Sequence, residues 1–232
     1  MKNRPLVSII MNCHNGEHFL RDSINTIINQ SYKNWELIFF DNCSTDNSFK
    51  VLKKIKNKKI KYFFSKKHLK LYHARNLAVK KAEGKYISFL DTDDMWNKQF
   101  LSTHVNKILK SKENIIYSKF LVLDETRKKK SLNYKKKLKS GRITQNLLDK
   151  YNIGILAVML KRSIFKKYKF DKRYNIIGDF DFFIKLSMKY NFSSLNSSLA
   201  TYRFHRLGFT NQNHKLHYNE LRRWLVENEK KL

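Results

Sequence analysis

Four apolar runs rich in β-formers, each followed by a segment of helical spacing, fill the first hundred residues and leave few folds open. The runs are Leu6-Val7-Ser8-Ile9-Ile10-Met11, Trp35-Glu36-Leu37-Ile38-Phe39-Phe40, Ile60-Lys61-Tyr62-Phe63-Phe64 and Tyr86-Ile87-Ser88-Phe89-Leu90. Between them, Phe19, Leu20, Ile24, Ile27 and Ile28, then Val51, Leu52 and Ile55, then Ala74, Leu77, Ala78 and Ala82 recur every three or four residues. Asp46 or Asn47 is positioned to cap the second helix, and Gly84 ends the third. Such alternation predicts right-handed βαβ units around a parallel sheet. A fourth helix over 100–109 and a fifth strand over 115–123 continue it.

Polar clusters end three of the runs: Asn12 to Asn15, Asp41 to Asp46, and Asp91-Thr92-Asp93-Asp94. Parallel neighbours bring such ends to one rim, where open α/β sheets bind ligands. The last cluster concentrates carboxylates in a chain of net charge +30. Like charges so close call for a counter-charge, either a divalent cation or basic side chains. All-oxygen donors favour Mg²⁺ or Mn²⁺. Asp94 alone reads as a cap for the helix that follows.

Length and composition suit one large domain of 232 residues, whose 17 Phe and 12 Tyr exclude a disordered chain. No apolar run approaches the roughly 20 residues of a membrane helix, and no leader pattern opens the chain. Two cysteines, Cys13 and Cys43, give no disulfide framework and read as packing residues. A cytoplasmic location is expected. The 49 Lys+Arg against 19 Asp+Glu admit three readings: AT-rich codon drift, contact with an anionic membrane, or nucleic acid. No nucleic-acid recognition motif supports the last, so no specific nucleic acid is expected.

Past residue 123 the pattern loosens. Residues 124–141 are Lys-dominated and read as an exposed loop; 155–160 and 199–205 read as strands. Gly178-Asp179-Phe180-Asp181 introduces a helix, and 216–230 reads as a terminal amphipathic helix with Leu221, Trp224 and Leu225 on one side. Docking on the domain and contact with a membrane are both open to it. Neither a Rossmann fingerprint nor a Walker A sequence is present, so a diphosphate here needs metal and basic side chains such as Arg75.

Val7-Ser8-Ile9-Ile10, Asn15-Gly16-Glu17, Trp35-Glu36-Leu37-Ile38, residues 41–46, Ala74-Arg75-Asn76 and residues 89–94 together resemble family 2 glycosyltransferases in order and spacing. The match is dense over roughly the first hundred residues and thinner to about residue 211. The resemblance implies a GT-A fold: a single α/β domain over 1–232, a Rossmann-like, mostly parallel sheet flanked by helices, with a nucleotide-sugar-binding half (1–123) and an acceptor and base half (124–232). It implies transfer of a sugar from a nucleotide donor, usually UDP-linked, with inversion, to a glycan or lipid-linked acceptor. A peripheral position at the inner face of the membrane goes with such an acceptor.

By position, the resemblance puts His14 where an aromatic packs on the base, and Asp41 and Asn42 where two acids hold the uracil. Asn42 replaces the commoner Asp. Asp91 would face the ribose and Asp93 the metal, Mn²⁺ or Mg²⁺, with His205 in Tyr202-Arg203-Phe204-His205 completing its shell. The family's Glu-Asp pair is matched by Gly178-Asp179: the Glu is missing, and the resemblance implies that Asp179 would be the general base, with Asp181 its competitor. A sugar-nucleotide pyrophosphorylase and a non-catalytic binding module of the same fold are the rival readings.

Overall fold

The computed structural model describes residues 4–229. Its strands are β1 (Val7–Cys13), β2 (Trp35–Asp41), β3 (Ile60–Phe64), β4 (Tyr86–Phe89), β5 (Met95–Trp96), β6 (Ile115–Asp124), β7 (Lys129–Leu132), β8 (Val158–Lys161) and β9 (Phe192–Phe204). The helices are α1 (Glu17–Ile28), α2 (Ser48–Lys53), α3 (Leu71–Lys80), α4 (Phe100–Ser111), α5 (Thr144–Asp149), α6 (Ile164–Lys167), α7 (Gly178–Ser187), α8 (Phe209–Gln212) and α9 (His214–Asn228). One sheet takes the order β3-β2-β1-β4-β8-β6-β9-β5, with β7 a hairpin partner of β6. The block β3-β2-β1-β4 is parallel, as the alternation predicts. Beyond it β8 runs antiparallel to β4 and β6, while β9 returns parallel to β6.

Both faces of the central strands are apolar, and two cores result. One joins Ile10, Ile38, Phe40 and Phe89 to Tyr72, Ala74 and Ala78 of α3, Phe182 and Phe183 of α7, and Trp224 of α9. The other joins Ile9, Met11, Leu37 and Phe39 to Leu20, Ile24 and Ile27 of α1 and to Phe100 and Val105 of α4. Alternate strand residues point to opposite faces, so each strand feeds both cores. Gly84 lies where the chain closes on β1: a Cβ there would meet the Ser8 amide nitrogen at 2.6 Å and the Leu6 carbonyl at 2.8 Å. This close approach, beyond the end of α3 at Lys80, is why the position is glycine.

Several expectations change. Residues 155–157 form a 3₁₀ turn before β8. The Lys-rich stretch 124–141 carries the β6–β7 hairpin, whose β7 residues are all exposed. α4 starts after Gln99, with the short β5 between it and Asp94, so Asp94 caps no helix. On α9 the buried residues are Glu220 and Trp224, while Leu225 is exposed. Lys230, the end of the expected helix, lies outside the described residues. Among the described residues no helix is long and apolar enough to cross a membrane.

Candidate active site

The rim begins where β1 and β2 end. Asn15 and Cys43 take positive φ, 55° and 65°, turning the chain sharply out of each strand. The two turns are knitted together: the Asn15 side-chain oxygen accepts from the Thr45 N–H at 2.8 Å, and the Gly16 N–H donates to Ser48 Oγ at 2.9 Å. Asp46 serves two helix starts at once, accepting from the Glu17 N–H at 3.0 Å and the Ser48 N–H at 2.9 Å. Burial acts to raise its pKa, but these donors outweigh it and hold the carboxyl below its ordinary range.

Asp41 is buried, with Oδ1 accepting from the Ser44 N–H (2.8 Å) and Oδ2 from the Tyr62 hydroxyl (3.2 Å). Burial and this carboxylate push Tyr62 up to about 12. Asn42 spends its amide on one partner: Nδ2 donates to the Leu69 carbonyl at 2.8 Å and Oδ1 accepts from the Leu69 N–H at 3.0 Å. It therefore ties the β3–α3 loop to β2 through two bonds, of which an Asp, having no donor, could keep only the one from the Leu69 N–H. His14 is exposed and stacks on His68, ring centroids 4.0 Å apart, so the two imidazoles form one stacked pair.

Arg75 rises from α3 and is only 2% exposed. Its Nη2 meets both Asp91 oxygens, at 2.6 and 2.7 Å. Burial opposes the charge, yet Asp91 outweighs it and the guanidinium stays protonated. The counter-charge expected for the acidic cluster is thus supplied in part by arginine. Asp93 stands 3.0 Å from His205 Nε2. Asp94 is buried and accepts from the Arg203 N–H at 3.0 Å, fastening β9 to the acidic turn. Burial, with Asp93 and Asp91 adding to it, drives its pKa well above the carboxylate range.

Among the described residues no group of three or more His, Cys, Asp or Glu side chains could hold a metal. Asp93 and His205 offer two donors, one hard oxygen and one imidazole nitrogen. His205 Nδ1 is buried without a partner, and its Nε2 faces the carboxylate. These donor types suit a hard divalent cation, and Asp93 and His205 are the side chains that would hold a Mn²⁺ or Mg²⁺ here.

The far side of the rim is α7. Asp179 accepts from the Tyr72 hydroxyl at 2.9 Å, and Tyr151 approaches its other oxygen at 3.5 Å. Burial raises its pKa; Arg75 and the Tyr72 hydroxyl pull it back. A raised carboxyl is a better proton acceptor. Asp181 is occupied elsewhere: it accepts from Trp224 Nε1 at 2.9 Å and pairs with Lys185 at 2.7 Å. Glu220 of α9 accepts from the N–H groups of Asn175, Ile176 and Ile177 just before α7. α9 thus anchors the segment that carries Asp179, which settles its face toward the domain.

Sequence reasoning missed three side chains here and named a fourth, Asn12, only as part of a polar cluster. Tyr72, Tyr151 and His68 carry no motif. Asn12, 8% exposed on the face of β1 shared with Ile10, leaves both amide atoms buried without a hydrogen bond. Its position at a strand's polar end was the available signal.

The family profile for glycosyl transferase family 2 matches residues 8–169. The chain belongs to that family. It is 35% identical over 167 residues to the Escherichia coli UDP-Glc:alpha-D-GlcNAc-diphosphoundecaprenol beta-1,3-glucosyltransferase WfgD, covering 71% of this chain and 64% of that one. It is 33% identical over 117 residues to the E. coli enzyme WfaP, of the same described activity, covering 50% and 47%. Among solved structures, Staphylococcus aureus TarS 1–349 in complex with UDP-GlcNAc superposes with a TM-score of 0.73 at 19% identity, over 89% of this chain and 60% of that one. That likeness shows the GT-A fold. The chain spans under two thirds of WfgD's length.

Proposed function

We propose that the chain is an inverting glycosyltransferase that moves a sugar from a UDP-sugar to a hydroxyl of a lipid-linked glycan acceptor in surface polysaccharide synthesis. One observation carries the reading: α3 faces the acidic turn through Arg75 and the α7 carboxylate through Tyr72, so a donor-side and an acceptor-side group share one rim. The names of WfgD and of the TarS complex supply the donor class, and that of WfgD the acceptor class.

In this reading His14 and His68 pack on the uracil, with Asp41, Asn42 and Asn12 at its polar edge. Asp91 faces the ribose, oriented by Arg75. A Mn²⁺ or Mg²⁺ ion held by Asp93 and His205 would neutralise charge on the departing diphosphate. Asp179 accepts the acceptor's hydroxyl proton. The acceptor oxygen bonds to the anomeric carbon as the bond from that carbon to the diphosphate oxygen breaks, and UDP leaves with those electrons. Attack opposite the leaving group inverts the centre and needs a single base.

The neighbouring loops support a place at an anionic membrane. The Glu125 N–H bonds the Phe204 carbonyl, so the turn bearing Arg127, Lys128, Lys129 and Lys130 lies beside the segment after β9. There Leu207 and Phe209 are 60% and 50% exposed, next to His205. A basic and apolar edge suits acidic headgroups. Co-sedimentation with vesicles containing phosphatidylglycerol is expected at low salt and lost as salt rises; binding indifferent to salt counts against an electrostatic role. The central experiment is a nucleotide-sugar panel with Mn²⁺ or Mg²⁺, reading UDP release. Asp93→Asn and Asp179→Asn are each expected to lower turnover at least a hundredfold. Near-normal turnover in the Asp179 variant removes it as base.

A further inference from the structure

The Glu that family resemblance leads one to expect before Asp179 is absent, and the structure shows what stands in its room. Gly178 opens α7 against the Tyr72 ring of α3. A Cβ at Gly178 would fall 2.3 Å from Tyr72 Cδ2 and 2.4 Å from Cγ, far inside any contact a real Cβ makes. No residue but glycine fits there while the ring is in place. The ring is itself fully packed: Tyr72 is buried, lies 5.3 Å from the Phe170 ring, and carries the Arg75 guanidinium 5.0 Å above its centroid. Its hydroxyl meets two oxygens, Asp179 Oδ1 at 2.9 Å and the Ile176 carbonyl at 3.1 Å.

We infer that Tyr72 is a positioning residue for Asp179: its ring fills the space that a side chain at position 178 would take, and its hydroxyl holds the carboxylate. The inference rests on Asp179 being the base. A phenol has two χ angles and sits on a helix tied to this segment at several points. The Leu71 N–H donates to Asn175 Oδ1 at 2.8 Å, and the Asn76 amide pairs with the Phe170 backbone at 2.8 and 3.1 Å. The carboxylate is therefore held by a rigid neighbour, and its orientation is set before the acceptor arrives. α3 also holds Asp91 through Arg75, one helical turn along from Tyr72. The groups facing Asp179 are Tyr72 and Arg75 from α3 and Tyr151 from the loop after α5, with Asp91 behind Arg75. Of these, the Tyr72 hydroxyl is the closest donor, and it stabilises the ionised carboxyl.

Two variants test this in the full chain, with UDP release from UDP-glucose in Mn²⁺ and a ¹³C NMR titration of the Asp179 carboxyl as readouts. Tyr72→Phe keeps the ring and removes the hydroxyl. The Asp179 titration and the acidic limb of the rate profile should move up together by about one pH unit. kcat should fall about tenfold while KM for UDP-glucose stays within about twofold. The second arm is a cycle of Tyr72→Ser, Gly178→Glu and the double variant. Gly178→Glu alone should be inactive because it clashes. The double variant, with room for the new side chain, should recover at least tenfold over it. An unmoved titration and rate profile in a folded Tyr72→Phe protein, with strictly additive losses in the cycle, would overturn the inference. Asp179→Asn separates the two levels. If it retains the wild-type rate, the base assignment fails and Tyr72 fails with it. If it is inactive while Tyr72→Phe is silent, only the role of Tyr72 falls.

Discussion

Two carboxylates in the first turn of α7 compete for the role of base, and substitution at Asp181 separates them by magnitude. Asp181 is 1% exposed and its Oδ1 holds the indole N–H of Trp224, which is 2% exposed. Asp181→Ala leaves that buried donor without a partner, which costs about 1–3 kcal/mol. The Lys185 pair adds little, because the Lys185 side chain is 44% exposed and its charge stays solvated. At about 2–4 °C per kcal/mol for a chain of this size, a loss near 2 kcal/mol lowers Tm by about 4–8 °C. Asp181→Asn keeps an oxygen for the indole and should cost less than about 1 kcal/mol. Asp179→Asn should leave Tm within a few degrees, since an amide can still accept from Tyr72. The assay is differential scanning fluorimetry beside UDP release from the best donor of the panel. The expected pattern is a stability loss with turnover retained at position 181 and a turnover loss with stability retained at 179. A hundredfold loss of turnover in a fully stable Asp181→Asn protein, with Asp179→Asn active, would refute the assignment.

Three further outcomes follow from buried groups. Glu36 is buried against Lys61 at 2.8 Å and accepts from the Glu83 N–H at 2.8 Å; burial acts to raise its pKa, but these partners hold it below its ordinary value. A depressed acid stabilises the fold above its unfolded pKa and loses that contribution as pH falls, so Tm should drop below about pH 4.5, and Glu36→Gln should flatten the drop. Asp94 and Asp179, raised by burial, act in the opposite sense, so the difference between wild type and Glu36→Gln is the quantity to read; equal slopes would count against it. Gly84→Ala should lower Tm by several degrees, because two of the atoms its Cβ meets are backbone and overpacking costs about 1–3 kcal/mol; an unchanged Tm argues against that close approach. Asn12→Leu removes an unpartnered buried amide, so Tm should rise by a degree or more while UDP affinity, read by calorimetry, falls. A fall in both would mean the amide is structural.

Local periodicity determined what it physically can. A parallel βαβ block was legible because strand and helix spacing are properties of a few neighbouring residues, and β1 to β4 and α1 to α4 lie where that spacing put them, while the two-residue β5 was not foreseen. Glycine at position 178 was visible as a departure, and the order of polar strand ends marked the rim. Tertiary structure alone decided who meets whom. Tyr72 and Asp179 are 107 residues apart, Asp93 and His205 are 112, and Asp181 and Trp224 are 43. Whether an aspartate caps a helix, ties a strand or faces a substrate depends on which distant group arrives beside it. Asp94 reads as a cap until β9 delivers the Arg203 N–H, and nothing in the stretch around Asn42 tells that its amide also ties down the Leu69 backbone. Burial makes those pairings energetically decisive, and burial is a property of the assembled sheet and its two cores rather than of any stretch of chain.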